Sequence, residues 1–194
     1  TINPTKGISL MCSLLGRVFG LYVEFQNETP KGVVLIRAIF INPFVSATFA
    51  VFETMLQIKP EKGQLSLKHS PLSGRDVNTV IGVTGDILGQ VIFSMDTHTA
   101  LSFASIMLMG MPVTELDEMA KSAVNELGNM ITGNATTGLA ENGFSCNLTP
   151  PTLFMGKEVM ISTKDLQILV IPILTPHGPV EINVALRMKD KRGE

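Results

Sequence analysis

The sequence predicts an α+β fold in which long helices cover an antiparallel-rich β-sheet. In two long segments, apolar residues recur at steps of three and four, which is typical of helices with one buried face. Shorter apolar runs bounded by turn residues predict strands. The resulting order of helix, strands, helices, strands differs from the regular alternation that builds a parallel sheet. A chain of 194 residues is long enough to bury the core of one such domain.

The first helix is predicted to begin at Pro43, with Asn42 as its N-cap, because proline is favoured at the first helical position. The segment PFVSATFAVFETMLQ follows, and Gly63 ends this region. Gln64–His69 then alternates as a short strand. The apolar face of the helix is predicted to carry Phe44, Ala47, Val51, Met55 and Ile58.

A hairpin and a second helix are predicted next. Two apolar runs, Val77–Val83 and Ile87–Met95, flank the turn sequence Thr84-Gly85-Asp86, which is typical of a compact β-hairpin. Thr97 is predicted to cap a helix that ends near Gly110.

The segment Glu115–Asn142 predicts a long amphipathic helix, with Thr114 as its N-cap and Asp117 completing a start that resembles a capping box. Pro112 separates it from the preceding helix. Its apolar face is predicted to carry Leu116, Met119, Ala120, Ala123, Leu127, Met130, Ile131, Ala135 and Leu139.

The opposite face of this helix is predicted to display Ser122, Glu126 and Asn129 on one narrow strip that faces solvent, because their spacing is i, i+4 and i+7. Such a carboxylate and carboxamide, one turn apart, have the geometry to enter the active site of another protein. A row of polar residues is also the ordinary solvated face of a helix, so the pattern alone leaves both interpretations open.

Three glycines lie inside the same helix, namely Gly128, Gly133 and Gly138. Each destabilises a helix by roughly 1 kcal/mol relative to alanine. Glycine is favoured where another backbone or side chain approaches closely. We therefore expect a neighbouring helix or a docked partner to lie against these positions.

The last third of the chain predicts strands separated by turn residues such as Pro176-His177-Gly178-Pro179. Apolar strands after residue 159 are expected to present sheet edges, which proteins commonly pair or cover. The predicted strands are Phe144–Leu148, Val159–Thr163, Leu166–Leu174 and Val180–Met188.

The spacing Ser122-x3-Glu126-x2-Asn129, followed by Pro151, resembles the signature of the CheC/CheX/FliY phosphatases of bacterial chemotaxis. The surrounding segments LDEMAKSAVNELGNMITGNA, NLTPPT and VIGVTGDILGQVIFSM are similar to the CheX branch. The resemblance extends over residues 37–188. It implies a CheC-like fold in residues 37–194, preceded by an extension of uncertain structure in residues 1–36, which we expect to be dispensable for catalysis.

The resemblance also implies hydrolysis of the phospho-aspartate on a CheY-type response regulator. Asn129 would then position the attacking water, and Glu126 would pair with a lysine in the partner's active site. Ser122 and Pro151 are expected to contact the partner. Because the response regulator would hold the Mg2+ ion in its own acidic pocket, we expect no metal site and no cofactor in this chain.

CheC-type relatives carry two such motifs, one on each of two repeated helices, and a worn internal repeat is visible here. Aligning Glu53 with Glu126 places Phe49 opposite Ser122 and Leu56 opposite Asn129. Two of the three motif positions on the first helix are therefore apolar. We interpret that helix as structural, which favours CheX over CheC.

Two other functions remain open on the sequence. The chain could be a non-catalytic adaptor that binds response regulators in the chemotaxis or flagellar switch system, although an adaptor has no need of the amide of Asn129. It could also be a sensor of small molecules, which the single tyrosine and the absence of tryptophan disfavour.

Composition excludes several further classes. A net charge of −2 gives no electrostatic basis for binding nucleic acid. The three histidines lack the spacing of zinc ligands, and the two cysteines form no CxxC motif, which suits a reducing cytosol. Arg17 and Glu24 interrupt the apolar N-terminal segment, so we expect a cytoplasmic protein without a membrane span. The resemblance further implies a homodimer, because CheX relatives join their sheets across the subunit boundary.

Overall fold

The computed structural model describes residues 38–163 and 166–189. The expectation that residues 1–36 are dispensable concerns a part of the chain outside these residues. Within the described residues, the helices are α1 (Ala38–Met55), α2 (Thr97–Met107) and α3 (Glu118–Glu141). The strands are β1 (Glu61–Lys62), β2 (Ser66–Lys68), β3 (Leu72–Ser73), β4 (Val77–Gly85), β5 (Ile87–Met95), β6 (Cys146–Leu148), β7 (Thr152–Met155), β8 (Met160–Ile161), β9 (Ile168–Leu174) and β10 (Val180–Met188).

The main sheet is antiparallel and follows the order β1-β9-β10-β5-β4-β6. Strand β2 also pairs with β9, and β7 pairs with β4 further along the edge that β6 occupies. The predicted hairpin forms β4 and β5, and β10 pairs with β5 from Val180 opposite Met95 to Met188 opposite Ile87. A small second sheet joins β3 to β8. The predicted α+β class is confirmed, since long helices pack on an antiparallel sheet.

The three helices form one layer on this sheet, with α1 and α2 both packed against α3. Aromatic rings join the layer: Phe52 of α1 meets Phe103 of α2 edge to face, with ring centroids 5.2 Å apart. Phe40 of α1 packs in the same way on Phe144, just after α3, at 5.1 Å. Such pairs stabilise a core beyond the burial of their surface. Since α1 and α2 both pack against α3, a remaining face of α3 is turned outward.

The predicted start of α1 is wrong, because the helix already includes Ala38 and contains Pro43 in its interior. Phe40 and Ile41, both fully buried, precede the proline within the helix. Their burial outweighs the hydrogen bond that an interior proline removes. Met55 was assigned to the apolar face of this helix and is instead 38% exposed.

The predicted N-cap of α3 is also wrong. The cap is Asp117 rather than Thr114, and its carboxylate accepts a hydrogen bond of 2.8 Å from the backbone N–H of Ala120. An ionised carboxylate at this position also interacts favourably with the helix dipole. Similarly, Asp96 rather than Thr97 precedes the first turn of α2. Both helices therefore begin after an aspartate.

The expectation that strands after residue 159 form sheet edges is wrong for the two long ones. Strand β10 lies between β5 and β9, and the outer side of β9 is covered by β1 and β2. Among the described residues, the main sheet ends at the short strands β1 and β2 on one side and at β6 and β7 on the other. The edge formed by β6 and β7 lies beside α3, because both strands contact that helix.

A polar cluster fixes the ends of the central strands. The guanidinium of Arg75 donates to Asp96, at 3.0 Å, and to Glu181 of β10, at 2.8 Å. Burial alone would lower the pKa of Arg75, but the hydrogen bonds to Glu181 and Asp96 raise the pKa above its usual range. The cluster ties the start of α2 to the sheet.

None of the helices in the described residues is both long enough and apolar enough to cross a membrane.

Candidate active site

The exposed face of α3 carries the predicted carboxylate and carboxamide. Ser122, Glu126 and Asn129 are all exposed, whereas Leu127, next to Glu126 in sequence, is only 2% exposed. The prediction that both key side chains are more exposed than Leu127 is confirmed. The helical phase explains this result, since consecutive residues are rotated by about 100° around the helix axis. Their roles in catalysis remain predictions.

Glu126 and Asn129 contact one another across one turn of the helix. The amide Nδ2 of Asn129 lies 3.4 Å from Oε2 of Glu126, and its side chain makes its hydrogen bond there. Glu126 has no ion pair within the described part of the chain. The nearby cation, Lys121, pairs instead with Glu118 at 2.7 Å. The carboxylate of Glu126 is therefore free to pair with a cation on another protein.

Ser122 lies one turn before Glu126 but does not support it in this structure. Its hydroxyl donates a hydrogen bond of 2.8 Å to the backbone carbonyl of Glu118, a common arrangement for serine inside a helix. The lone pairs of the Ser122 oxygen are left to accept a hydrogen bond from outside the helix.

A groove of about 470 Å3 lies between the first half of α3 and strand β7. Ser122 and Pro151, the two residues predicted to contact a partner, both line this groove. Glu126 and Asn129 are not among its lining residues. The structure therefore brings Ser122 and Pro151 together, although these residues are far apart in the chain, and their contact with a partner stays a prediction. The groove is also lined by Lys121, Asn125, Thr152, Leu153 and Met155.

Asn125 is a polar residue of this groove that sequence analysis did not single out. Its Oδ1 atom is buried and has no hydrogen-bond partner within the described residues. A buried carbonyl oxygen without a partner is uncommon in folded proteins. The sequence offered no signal for it, because Asn125 lies off the exposed strip.

Gly128 fixes the distance between α3 and the sheet directly behind the site. A Cβ atom at this position would lie 3.1 Å from Cγ2 of Thr79 on β4 and 3.2 Å from Cβ of Pro151. Pro151 therefore packs against the helix between Glu126 and Asn129. Gly138 permits a second close approach, because a Cβ there would lie 3.1 Å from Cβ of Pro43. The expectation of close neighbours is confirmed at these two glycines.

We expect the substitution Gly128→Val to lower the free energy of unfolding by about 1–3 kcal/mol, since overpacking a filled site forces strain on its neighbours. Thr79 lies in a buried strand and cannot move aside. The matched control is Gly133→Val, where a side chain would meet no atom within 4 Å. Urea unfolding of both variants checks the prediction, and an equal loss of stability in the two would contradict it.

The counterpart of the site on α1 is not an exposed polar strip. Glu53 is exposed, but Leu56 is only 3% exposed and belongs to the core. The interpretation of α1 as a structural helix agrees with this packing.

The described residues contain no cluster of three or more His, Cys, Asp and Glu side chains that could hold a metal ion. The exposed strip of α3 offers a carboxylate, an amide and a hydroxyl. Such a set can pair with a cation and orient a water molecule.

Long helices on an antiparallel sheet, with this polar strip facing outward, define a CheC-like protein. A CheC-like superfamily protein from Shewanella sp. PV-4 has the same fold, with a TM-score of 0.71, 28% identity and coverage of 80% of this chain and all of the other. The family model of the chemotaxis phosphatase CheX matches residues 77–174. The chain belongs to the CheX family of chemotaxis phosphatases.

Two further similarities bear on function. The CheY-P phosphatase CheX of Thermotoga maritima is 35% identical over 133 residues, which are 69% of this chain and 85% of that protein. A crystal structure from Borrelia burgdorferi contains CheX in complex with CheY, BeF3 and Mg2+. The matched chain is 33% identical with a TM-score of 0.63, and the match covers 76% of this chain and 97% of the other.

Proposed function

We propose that this protein hydrolyses the aspartyl-phosphate of a CheY-type response regulator, with Asn129 positioning the attacking water and Glu126 anchoring the partner. The substrate is supported by the similarity to the CheY-P phosphatase of Thermotoga maritima and to CheX in the complex with CheY. The roles of Glu126 and Asn129 are assigned from one observation: the two side chains are both exposed and contact one another on the same helix.

The chemistry suits a site with few functional groups. An aspartyl-phosphate is a mixed anhydride and already reacts with water, so the enzyme needs little covalent machinery. It needs a water molecule held in line with the departing aspartate oxygen, and charge neutralisation at the phosphoryl group. The amide of Asn129 offers an acceptor and two donors, with which it can orient that water.

Charge neutralisation is assigned to the partner. The Mg2+ ion in the complex from Borrelia burgdorferi supports the expectation that the response regulator brings the metal. We assign no cofactor to this chain. Glu126 would pair with a lysine of the partner's active site, and such charge-assisted hydrogen bonds are stronger than neutral ones.

The contact of 3.4 Å between Glu126 and Asn129 supports a division of work between them. When Glu126 turns toward a lysine of the partner, the hydrogen bond between its carboxylate and the amide of Asn129 breaks. The amide can then bind water. With both side chains placed on one helix, the proposed mechanism requires no general base, because positioning alone can supply a large part of the rate enhancement.

The direct test is to mix the full chain with a phosphorylated CheY-type receiver domain and to measure phosphate release. We expect release to accelerate in proportion to the concentration of this protein. If the receiver binds tightly but its phosphate is lost at the spontaneous rate, the chain is a non-catalytic adaptor instead. The exposed amide of Asn129 favours the phosphatase, because an adaptor does not require it.

We also propose a homodimer, and strand β7 is its most suitable edge among the described residues. This strand pairs with β4 on one side, and Phe154 and Met155 are exposed on it. Light scattering at micromolar concentration should give twice the monomer mass, and the substitution Phe154→Lys should shift the mass toward the monomer. A wild-type monomer under these conditions would contradict the proposal. We expect the reaction to take place in the cytoplasm, where response regulators are phosphorylated.

A further inference from the structure

The exposed strip of α3 continues beyond Asn129 as a surface of low relief. The next positions on the same face are Gly133, Thr137 and Ala140, since they follow Asn129 at i+4, i+8 and i+11. All three are exposed. On the other side of Asn129, the strip carries taller side chains, including Met119, which is 53% exposed. Met119 was assigned to the apolar face of the helix, and that assignment was wrong.

Gly133 is not required by the packing of this protein. A Cβ atom at this position would have no atom within 4 Å. The other two interior glycines of α3 differ, because Gly128 and Gly138 each lie against a neighbour at 3.1 Å. Gly133 also lies in the middle of a regular helix, where its backbone needs no special conformation. Since glycine is a poor helix former, Gly133 lowers the stability of the helix. No contact in the described structure explains why a glycine is present there.

The side chain that follows Gly133 on the strip leaves its backbone accessible. The hydroxyl of Thr137 donates a hydrogen bond of 3.3 Å to the backbone carbonyl of Gly133. A threonine bound in this way lies along the helix rather than projecting from it. The second half of the strip is therefore flat and presents helix backbone at the turn after Asn129.

We propose that Gly133 is a close-approach residue for the phosphorylated receiver domain and so sets how deeply Asn129 enters the partner's active site. This inference rests on the proposed function. One helical turn rises about 5.4 Å, so a pocket that encloses the amide of Asn129 must place its rim over Gly133. A side chain at Gly133 would keep that rim away from the helix.

The protein that contacts Gly133 is inferred from the position of Gly133 next to the proposed active site. The surface around Gly133 adjoins Asn129 directly and shares its face of α3, whereas the residues of α3 that line the groove all precede Glu126. A partner that engages Glu126 and Asn129 cannot avoid the turn at Gly133. The expected contact is therefore with the receiver domain that carries the phosphoryl group.

The test compares Gly133→Ala and Gly133→Leu with Asn134→Ala and Asn134→Leu. Asn134 is the next residue and is also exposed, but it points about 100° away from Gly133 around the helix. Dephosphorylation of a receiver domain is measured in single turnovers at increasing concentrations of each variant. This gives the half-saturating concentration and the maximal rate separately, and thermal unfolding gives the Tm.

We expect Gly133→Ala to raise the Tm by about 2–4 °C, because alanine is a better helix former. Gly133→Leu should raise the half-saturating concentration roughly tenfold, because the leucine side chain would occupy the space into which the receiver domain packs. Gly133→Ala should raise it by a smaller factor, and both Asn134 variants should bind as the wild type does. A variant that is more stable but binds more weakly cannot be explained by misfolding.

The inference is overturned if the wild type hydrolyses the phosphate and Gly133→Leu has an unchanged half-saturating concentration. It is also overturned if Asn134→Leu weakens binding equally. If the wild type itself causes no hydrolysis, the proposed function fails, and that outcome is distinguishable from the other two.

Discussion

Replacing Asn129 with alanine should lower the rate of dephosphorylation on the order of 10²-fold or more, because positioning of the water acts in the transition state. Binding of the phosphorylated partner should persist, since one exposed amide contributes little to an entire interface. The maximal single-turnover rate and the dissociation constant, measured with the same receiver domain, check both parts of this expectation. A stable phosphate mimic on the receiver allows binding to be measured without turnover.

The matched control for Asn129→Ala is Asn134→Ala. Both residues are exposed asparagines on α3, and both substitutions improve helix propensity. The control should retain the wild-type rate. If Asn129→Ala also retained it, the assigned mechanism would be wrong even though the family assignment stands.

The substitution Glu126→Lys should impair both binding and rate. In the free protein, Glu126 is exposed and has no ion pair within the described residues, so its replacement should scarcely change folding. Once inserted beside a lysine of the partner, however, a lysine at this position replaces an attractive pair by a like-charge contact. Such a contact costs about 2–5 kcal/mol when it is desolvated, which is roughly 30-fold or more in affinity.

The control for this charge change is Glu141→Lys, at the C-terminal end of the same helix. Both variants change the net charge equally, so a general electrostatic effect on association would appear in both. Glu53→Ala on α1 should alter neither binding nor rate, because its neighbour Leu56 is buried and no second site forms there. Equal binding by Glu126→Lys and wild type would remove Glu126 from the interface.

Much of this site could be predicted from sequence because a helix has a fixed period. The positions of Ser122, Glu126 and Asn129 relative to Leu127 followed from that period alone. The hairpin of β4 and β5 was similarly visible, since two apolar runs flank a short turn with glycine. The class of fold then followed from the order of the elements.

The ends of the helices were harder to predict than their faces, because several residues near each end were suitable caps. Thr114 and Asp117 both fit the start of α3, and only the folded chain shows that Asp117 is used. Pro43 likewise suggested a first helical position. Burial of Phe40 and Ile41 extends α1 beyond it, which is a tertiary effect that local preference does not reveal.

Sheet order was equally inaccessible, because pairing depends on contacts between distant segments. The apolar character of β9 and β10 suggested edges, although it reflects burial inside the sheet. The short strand β7, which forms the edge beside α3, had no recognisable pattern. The groove with Ser122, Asn125 and Pro151 depends on that strand, so Asn125 could not be recognised in advance.

The central claim is that a water molecule positioned by Asn129 attacks the phosphorus atom of the partner's aspartyl-phosphate. Hydrolysis of the phosphorylated receiver in water enriched in oxygen-18 tests this most directly. We predict that the fraction of hydrolysis accelerated by this protein places the label in the released phosphate, that no phosphoryl group becomes attached to this chain, and that Asn129→Ala loses the accelerated fraction. Label in the carboxylate of the receiver's aspartate, a phosphorylated form of this protein, or an undiminished accelerated fraction with Asn129→Ala would contradict it.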